Sequence, residues 1–347
     1  MGKKALETEL AAQKALVKKL KKKLKKKNSA GAAKVAAISP LAPAQFPDLP
    51  EVAGVRFSAT GAGIKYRGRA DVMLAEISAG ASIAGVFTRS STRAAPVLDC
   101  QAKLVAAKDT GKRAAILVNS GNANAFTGDN GRKSVDEICK SVSVALQLPA
   151  SRVFTASTGV IGEPLPHDLI TAKIDELAST LDSSSAEIAA EAIRTTDTFA
   201  KGACATLEIG GAQVKIVGFA KGSGMIAPDM ATMLAYVFTD ARVSQPVLQS
   251  MLSAAADDTF NAITVDSDTS TSDTLMAVAT GKADMPEIAS TRTAIGRAFA
   301  NSLQGVLEDL AKQVIRDGEG ATKFLAVNVT GAKTKLDAKR IALSIAN

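Results

Sequence analysis

Four stretches of this 347-residue chain are too rich in Gly, Asn, Ser and Thr to be ordinary connectors: Asn119–Gly128 (NSGNANAFTG), Ser157–Gly162 (STGVIG), Lys221–Leu234 (KGSGMIAPDMATML) and Asn261–Asp273 (NAITVDSDTSTSD). Each sits at the end of a short apolar run that reads as a strand, and loops at strand ends are where sites are commonly built. Their hydroxyl side chains are candidate nucleophiles, but the usual base is missing. The single histidine, His167, lies between Pro166 and Asp168 at an expected helix start, where a surface or capping role suits it better than a place in a Ser-His-Asp triad. The Lys221-Gly-Ser-Gly run puts its Lys ahead of the glycines, the reverse of a phosphate-binding loop. Asp266, Asp268 and Asp273 lack the Gly and terminal Glu of a calcium loop. They read either as caps of a turn or as substrate contacts.

A hydroxyl nucleophile without His or Cys needs another base. One known solution is a threonine whose own backbone amine has been freed by cleavage of the preceding peptide bond. Such an amine has an unperturbed pKa of about 7.7–8.0, so a useful fraction is neutral near physiological pH and can accept the hydroxyl proton. Composition alone does not choose among the chain's many threonines.

The stretch Lys221–Leu234 closely resembles the cleavage motif of the ornithine acetyltransferases, also called bifunctional glutamate N-acetyltransferases of arginine biosynthesis. The other three stretches support the resemblance, which covers about residues 39–347. It implies that Thr232 is the nucleophile and Ala231–Thr232 the autocleavage site, giving an α chain (38–231) and a β chain (232–347) behind an extension at 1–37. Thr158 and Gly159 match the family's oxyanion-hole pair, and substrate contacts carry over to Thr195, Lys221, Thr232 and Glu319. A Lys can pair with a substrate carboxylate and a Glu with a cationic side chain, so two charges fix an amino acid's orientation. The implied cycle moves acetyl from N-acetylornithine to Thr232 and then to glutamate, with no cofactor or metal. Acetyl-CoA remains open as a further donor, and the mature form is expected to hold two α and two β chains.

Two departures from the family stand out. Asp229 occupies a position where many members have Asn, and an added carboxylate three residues before the nucleophile bears on cleavage rate and on the new amine. Members also continue well past the segment resembling Lys339–Asn347, with an Asn and a hydroxyl residue that contact substrate, so this copy is expected to lack a C-terminal end. Alternatives are a self-processing amidohydrolase or aminopeptidase of similar architecture, and an inactive truncated product whose lysine-rich segment is its working part.

The elements that must position these residues alternate short strands with amphipathic helices. Strands are expected over Asp71–Ile77, Ala84–Arg89, Ala114–Asn119, Arg152–Ala156, Met233–Thr239, Thr274–Ala279 and Phe324–Val329. Helices are expected over Ser134–Leu146, Asp168–Ser179, Ala186–Thr195, Pro246–Asp257 and Ala294–Arg316, with a Ser184/Glu187 capping box before the third. Gly210-Gly211 marks a hairpin between Ala205–Ile209 and Gln213–Gly218. The pattern gives an α/β (α+β) body, which the resemblance sharpens to an α/β/β/α sandwich with two sheets between helical layers.

Charge is divided unevenly. Residues 1–34 hold twelve lysines against Glu7 and Glu9, a net +10, which leaves the rest of the chain at −2 within the overall +8. Leu6, Leu10, Gln13, Val17, Leu20 and Leu24 trace a heptad seam through this lysine-rich helical extension. Like charges at i,i+4 weaken such a helix. The body has no Trp and two Tyr, so it lacks the stacking platforms of single-strand binders, and nucleic acid is not an expected partner. Three cysteines, Cys100, Cys139 and Cys204, fit neither a disulfide framework nor a zinc site. With no apolar run of membrane-spanning length, a cytoplasmic, soluble protein is expected.

Overall fold

A computed structural model describes residues 37–227 and 233–347. The lysine-rich seam at 6–24, and Ala231 and Thr232, lie outside the described residues. Nine strands form two sheets among those described. The first holds β1 (Val55–Thr60), β2 (Val72–Ile77), β4 (Ala114–Asn122) and β5 (Val153–Val160), in the order β1-β2-β4-β5. The second holds β3 (Ser82–Phe87), β6 (Lys201–Ile209), β7 (Ala212–Lys221), β8 (Leu234–Thr239) and β9 (Thr274–Ala279), in the order β3-β9-β8-β7-β6. Two neighbouring pairs, β4 with β5 and β8 with β9, run parallel. A parallel pair needs a crossover, and each crossover carries a helix: α2 (Gly128–Leu146) and α6 (Gln245–Asp258).

Period-two alternation explains the layering. Along β2 and β4, Met73, Ala75, Ile116 and Val118 face the second sheet, while Val72, Leu74, Ala115 and Leu117 face outward. The outward set packs on Val135, Ile138 and Val142 of α2 and on Ile170, Ile174 and Leu177 of α3 (His167–Thr171) and α4 (Ile174–Ser179). Along β8, Leu234, Tyr236 and Phe238 point into the middle layer. Ala235 and Val237 point to α6 and α7 (Ala294–Arg316), where they meet Leu252, Leu303 and Leu307. The layers are therefore helix, sheet, sheet, helix, the expected α/β/β/α sandwich. Helices α1 (Ala95–Ala106) and α5 (Ala186–Ala192) also contribute to the middle layer through Val97, Cys100 and Ala189. Residues 39–347 make up one unit.

Aromatic rings lock the two sheets together. Phe57 of β1 stands edge-on to Phe238 at 4.9 Å and to Phe219 at 5.8 Å. Phe57→Ala is expected to cost about 3–5 kcal/mol, the usual cost of removing a buried ring, and urea unfolding measures it. A loss below about 1 kcal/mol would show that the sheets do not depend on this contact.

Several expectations change in the structure. Phe324–Val329 is not a strand: the segment is exposed and pairs with no described strand edge, and alternation without a partner cannot close a ladder. The expected helix over 168–179 divides at Ala172–Lys173, where the Thr171 hydroxyl donates to Asp168 O and competes with the helical ladder. The helix expected to reach Thr195 stops at Ala192, and the Ser184/Glu187 capping box does not form. Ser184 instead gives its backbone N–H to Asp182 Oδ1, an Asx turn that forestalls the box. The hairpin forms as read but longer, its Gly210 and Gly211 at φ 61° and 86°, as a two-residue primed turn requires. Strand β1, helix α1 and helix α8 (Lys335–Ala346) were not anticipated.

Candidate active site

The four polar stretches gather at one end of the two stacked sheets. Strand β5 carries Thr158 and Gly159 at its end, in register with Ser120 and Gly121 of β4. Lys221 closes β7 opposite Leu234, the first residue of β8. From there Lys221 Nζ donates to Thr158 Oγ1 at 3.1 Å, bridging the sheets through two side chains that are both nearly inaccessible to solvent. An ammonium group only donates. The Thr158 hydroxyl therefore receives from Lys221 and keeps its own proton for an incoming oxygen, the arrangement that an oxyanion donor needs.

Gly159 is required by space as well as by backbone. Its φ is +133°, and a Cβ there would lie 2.3 Å from the carbonyl carbon of Gly121. The strands β4 and β5 approach closely at this point, beside a register shift at Asn122. The Asn119–Gly128 stretch supports the same corner from within: Asn119 Nδ2 donates to Asn122 O at 2.9 Å, and Ser157 Oγ donates to Asn119 Oδ1 at 2.7 Å. The stretch thus scaffolds the corner that carries Thr158 and Gly159.

Burial sets the electrostatics. Desolvation pulls the Lys221 ammonium below its ordinary pKa, and nearby Lys201 acts in the same direction, while Asp197, Asp273 and Glu319 oppose the shift. Desolvation alone would raise Asp197, but Lys201 and Lys221 reverse the effect and hold its carboxyl below the usual range. Asp273, fully buried, is pushed well above the usual carboxylate range by desolvation. Its Oδ1 accepts the Met233 N–H at 2.9 Å, and Thr274 N–H donates to Met233 O at 3.1 Å. The residue after position 232 is thereby clamped on both sides.

The remaining predicted contacts surround Lys221. Half-buried Thr195 donates its N–H to Asp197 Oδ2 at 3.0 Å, and the other oxygen of that carboxylate accepts Gly222 N–H at 2.6 Å. Exposed Glu319 donates its N–H to Ser223 O at 2.8 Å, and its side chain lies over Gly224, where a built Cβ would sit 2.8 Å from Glu319 Oε1. Thr158, Gly159, Lys221, Thr195 and Glu319 thus share one neighbourhood. In the Asn261–Asp273 stretch, Asp266 Oδ1 accepts Ile226 N–H at 2.8 Å, the turn-cap reading of that carboxylate.

Other nucleophiles are occupied or suppressed. His167 stands at the start of α3, half-buried, with Nδ1 3.0 Å from Ser134 Oγ of α2, and its side chain does not cap the helix. Burial pushes the Cys100 thiol up to about 12 and the Cys139 thiol up to about 11, so neither supplies a thiolate near neutral pH. The sequence reading missed Asp197, Lys201 and Asp317, which are buried beneath the site. Asp197 and Asp317 each lie two residues from an expected substrate contact, in the runs Thr195–Thr198 (TTDT) and Arg316–Gly320 (RDGEG), whereas Lys201 carries no such signal. No described helix is long and apolar enough to cross a membrane.

Comparison with known proteins follows this geometry. Residues 56–347 match the ArgJ family. The arginine biosynthesis bifunctional protein ArgJ of Ruegeria pomeroyi is 60% identical over 316 residues, covering 91% of this chain and 75% of that protein. Its namesake in Bradyrhizobium diazoefficiens is 51% identical over 313 residues, covering 89% and 75%. A crystal structure of ornithine acetyltransferase complexed with ornithine from Mycobacterium tuberculosis is 32% identical, covers 56% of this chain and 96% of that one, and aligns with a TM-score of 0.42. The chain belongs to the ArgJ family of arginine-biosynthesis acetyltransferases and is an enzyme of that class.

Proposed function

We propose that this chain cleaves itself between Ala231 and Thr232 and then transfers acetyl from N-acetylornithine to glutamate through an acetyl-Thr232 ester. The observation that carries the reading is the Lys221–Thr158 bond between the sheets. It supports the reading by bringing a hydroxyl and an ammonium group together at the start of the stretch that contains Thr232.

In the proposed cycle the freed Thr232 amine takes the hydroxyl proton as Oγ attacks the acetyl carbonyl. The oxygen of the tetrahedral intermediate lies against Thr158 and Gly159. Collapse breaks the amide C–N bond, and the ornithine nitrogen leaves with the proton held by the Thr232 amine. The glutamate amine then attacks the ester, N-acetylglutamate forms, and Thr232 Oγ regains its proton. Lys221 suits the substrate carboxylate and Glu319 the ornithine side-chain ammonium. No cofactor or metal enters this cycle. The mature assembly on this reading is two α chains (38–231) with two β chains (232–347), in the cytoplasm.

Incubation with N-acetylornithine, with and without glutamate, tests the reading. N-acetylglutamate is expected only when glutamate is present, with little free acetate. Acetate release indifferent to glutamate would overturn transfer in favour of the amidohydrolase alternative.

A further inference from the structure

Beneath the site lie three charged side chains that the cycle does not use. Asp197, Lys201 and Asp317 are essentially shut off from solvent. Lys201 Nζ donates to Asp197 Oδ1 and to Asp317 Oδ2, each at 2.6 Å, and its ammonium stands 4.7 Å from the centre of the Phe199 ring. Every remaining carboxylate oxygen is also spoken for. Asp197 accepts Thr195 N–H and Gly222 N–H, and Asp317 accepts Thr198 N–H and the Thr198 hydroxyl. The Asp317 backbone carbonyl takes Ser223 Oγ–H at 2.8 Å.

These bonds converge on one tripeptide. Lys221-Gly222-Ser223 is gripped by Asp197 on the side of Thr195, and by Asp317 and Glu319 on the other. Lys201 joins the two grips. With Lys221 the set holds two positive and two negative groups, so it is neutral as a whole. A buried ion set is a weak source of stability, because desolvation offsets the attraction. Fixing three loops from distant parts of the chain in one geometry is what this one accomplishes.

We propose that Asp197, Lys201 and Asp317 are positioning residues for substrate, a buried charge clamp that sets the Thr195 and Glu319 loops against Lys221. The proposal rests on the reading above that Thr195, Lys221 and Glu319 meet the amino-acid substrate. The charged groups facing Lys221 are Asp197, Lys201, Asp273 and Glu319. Among them Asp197 most strongly favours the ammonium form, so its loss shifts Lys221 towards the neutral amine.

The test uses the full chain. Removing one partner strands a buried charge and risks unfolding, so the principal variant neutralises all three: Asp197→Asn, Lys201→Gln and Asp317→Asn together. Its fold is checked by circular dichroism. The folded variant is expected to show a KM for N-acetylornithine raised about tenfold with kcat within about threefold, and an alkaline limb of kcat/KM moved to lower pH, because the lost Asp197 acts on Lys221 more strongly than the lost Lys201. Hydrogen exchange is expected to quicken together in peptides spanning 194–199, 221–224 and 317–320. Unchanged KM, pH profile and exchange in a folded variant would overturn the clamp, as would exchange that quickens in only one of the three peptides. Glu319→Gln and Thr195→Ala separate the two readings. If neither raises KM, the substrate assignment fails, and the exchange result still decides the clamp. A variant that does not fold is replaced by Asp317→Asn alone, which leaves Lys201 paired with Asp197 and is judged by KM and by exchange in the three peptides; unchanged values of both would overturn the clamp.

Discussion

Replacing Thr232 by Ala is expected to leave the polypeptide in one 35.6 kDa piece and to lower turnover at least about 10⁴-fold, as loss of a covalent nucleophile does in comparable enzymes. Two consequences follow from one missing oxygen, because in the proposed cycle that hydroxyl both attacks the preceding carbonyl during cleavage and accepts acetyl afterwards. Other nucleophiles offer little relief: both buried thiols are held in the protonated form, and the His167 ring is engaged with Ser134. Thr232→Ser, which keeps hydroxyl and amine, is expected to restore both cleavage and part of the activity. Intact mass spectrometry and a turnover assay on the same preparations decide the matter. A folded alanine variant that still separates into two chains, or that works at near wild-type rate, would remove the basis of the mechanism.

Gly159→Ala is expected to be nearly as damaging for a different reason. The added methyl would meet the backbone of Gly121 at 2.3 Å, and neither strand carries a flexible end that could yield. Either β4 and β5 part or the Thr158–Gly159 corner turns, and both move the proposed oxyanion donors. Loss of one such donor costs about 10²–10³ in kcat, and a drop in thermal midpoint should accompany it. Gly162→Ala is the matched control. Gly162 belongs to the same stretch and also has positive φ, at +85°, but a methyl there meets nothing within 4 Å. If the two variants fall equally in kcat, strain in the stretch and not the corner itself is responsible.

How much of this was legible beforehand depended on which physical signal each residue carries. Strands such as Thr274–Ala279 and helices such as Ala294–Arg316 were read to their ends, because apolar periodicity is written into short windows. Strand β1 escaped notice because Val55–Thr60 mixes Arg56 and Ser58 with its apolar residues, and its burial depends on packing with distant Phe219 and Phe238. Phe324–Val329 erred in the other direction, having the composition of a strand without an edge to join. Within the candidate site, Thr158, Gly159, Thr195, Lys221 and Glu319 were named through the family resemblance. The charges below them were not: Lys201 and Asp317 lie 116 residues apart, and charged side chains are read from sequence as surface unless a partner is known.

The order β3-β9-β8-β7-β6 gives the proposed cut an unusual setting. Severing the chain just ahead of Met233 would leave β8 and β9 on one polypeptide and β3, β7 and β6 on the other, with β8 bonded to β7 and β9 bonded to β3. The newer fragment would be threaded into the older one like a slat between two others, and neither could depart without tearing open the shared hydrophobic interior. Once denatured, two such fragments would have to find each other again by collision. Recovery of the nicked protein should therefore slow on dilution, whereas an uncut chain would regain its shape at a rate indifferent to concentration.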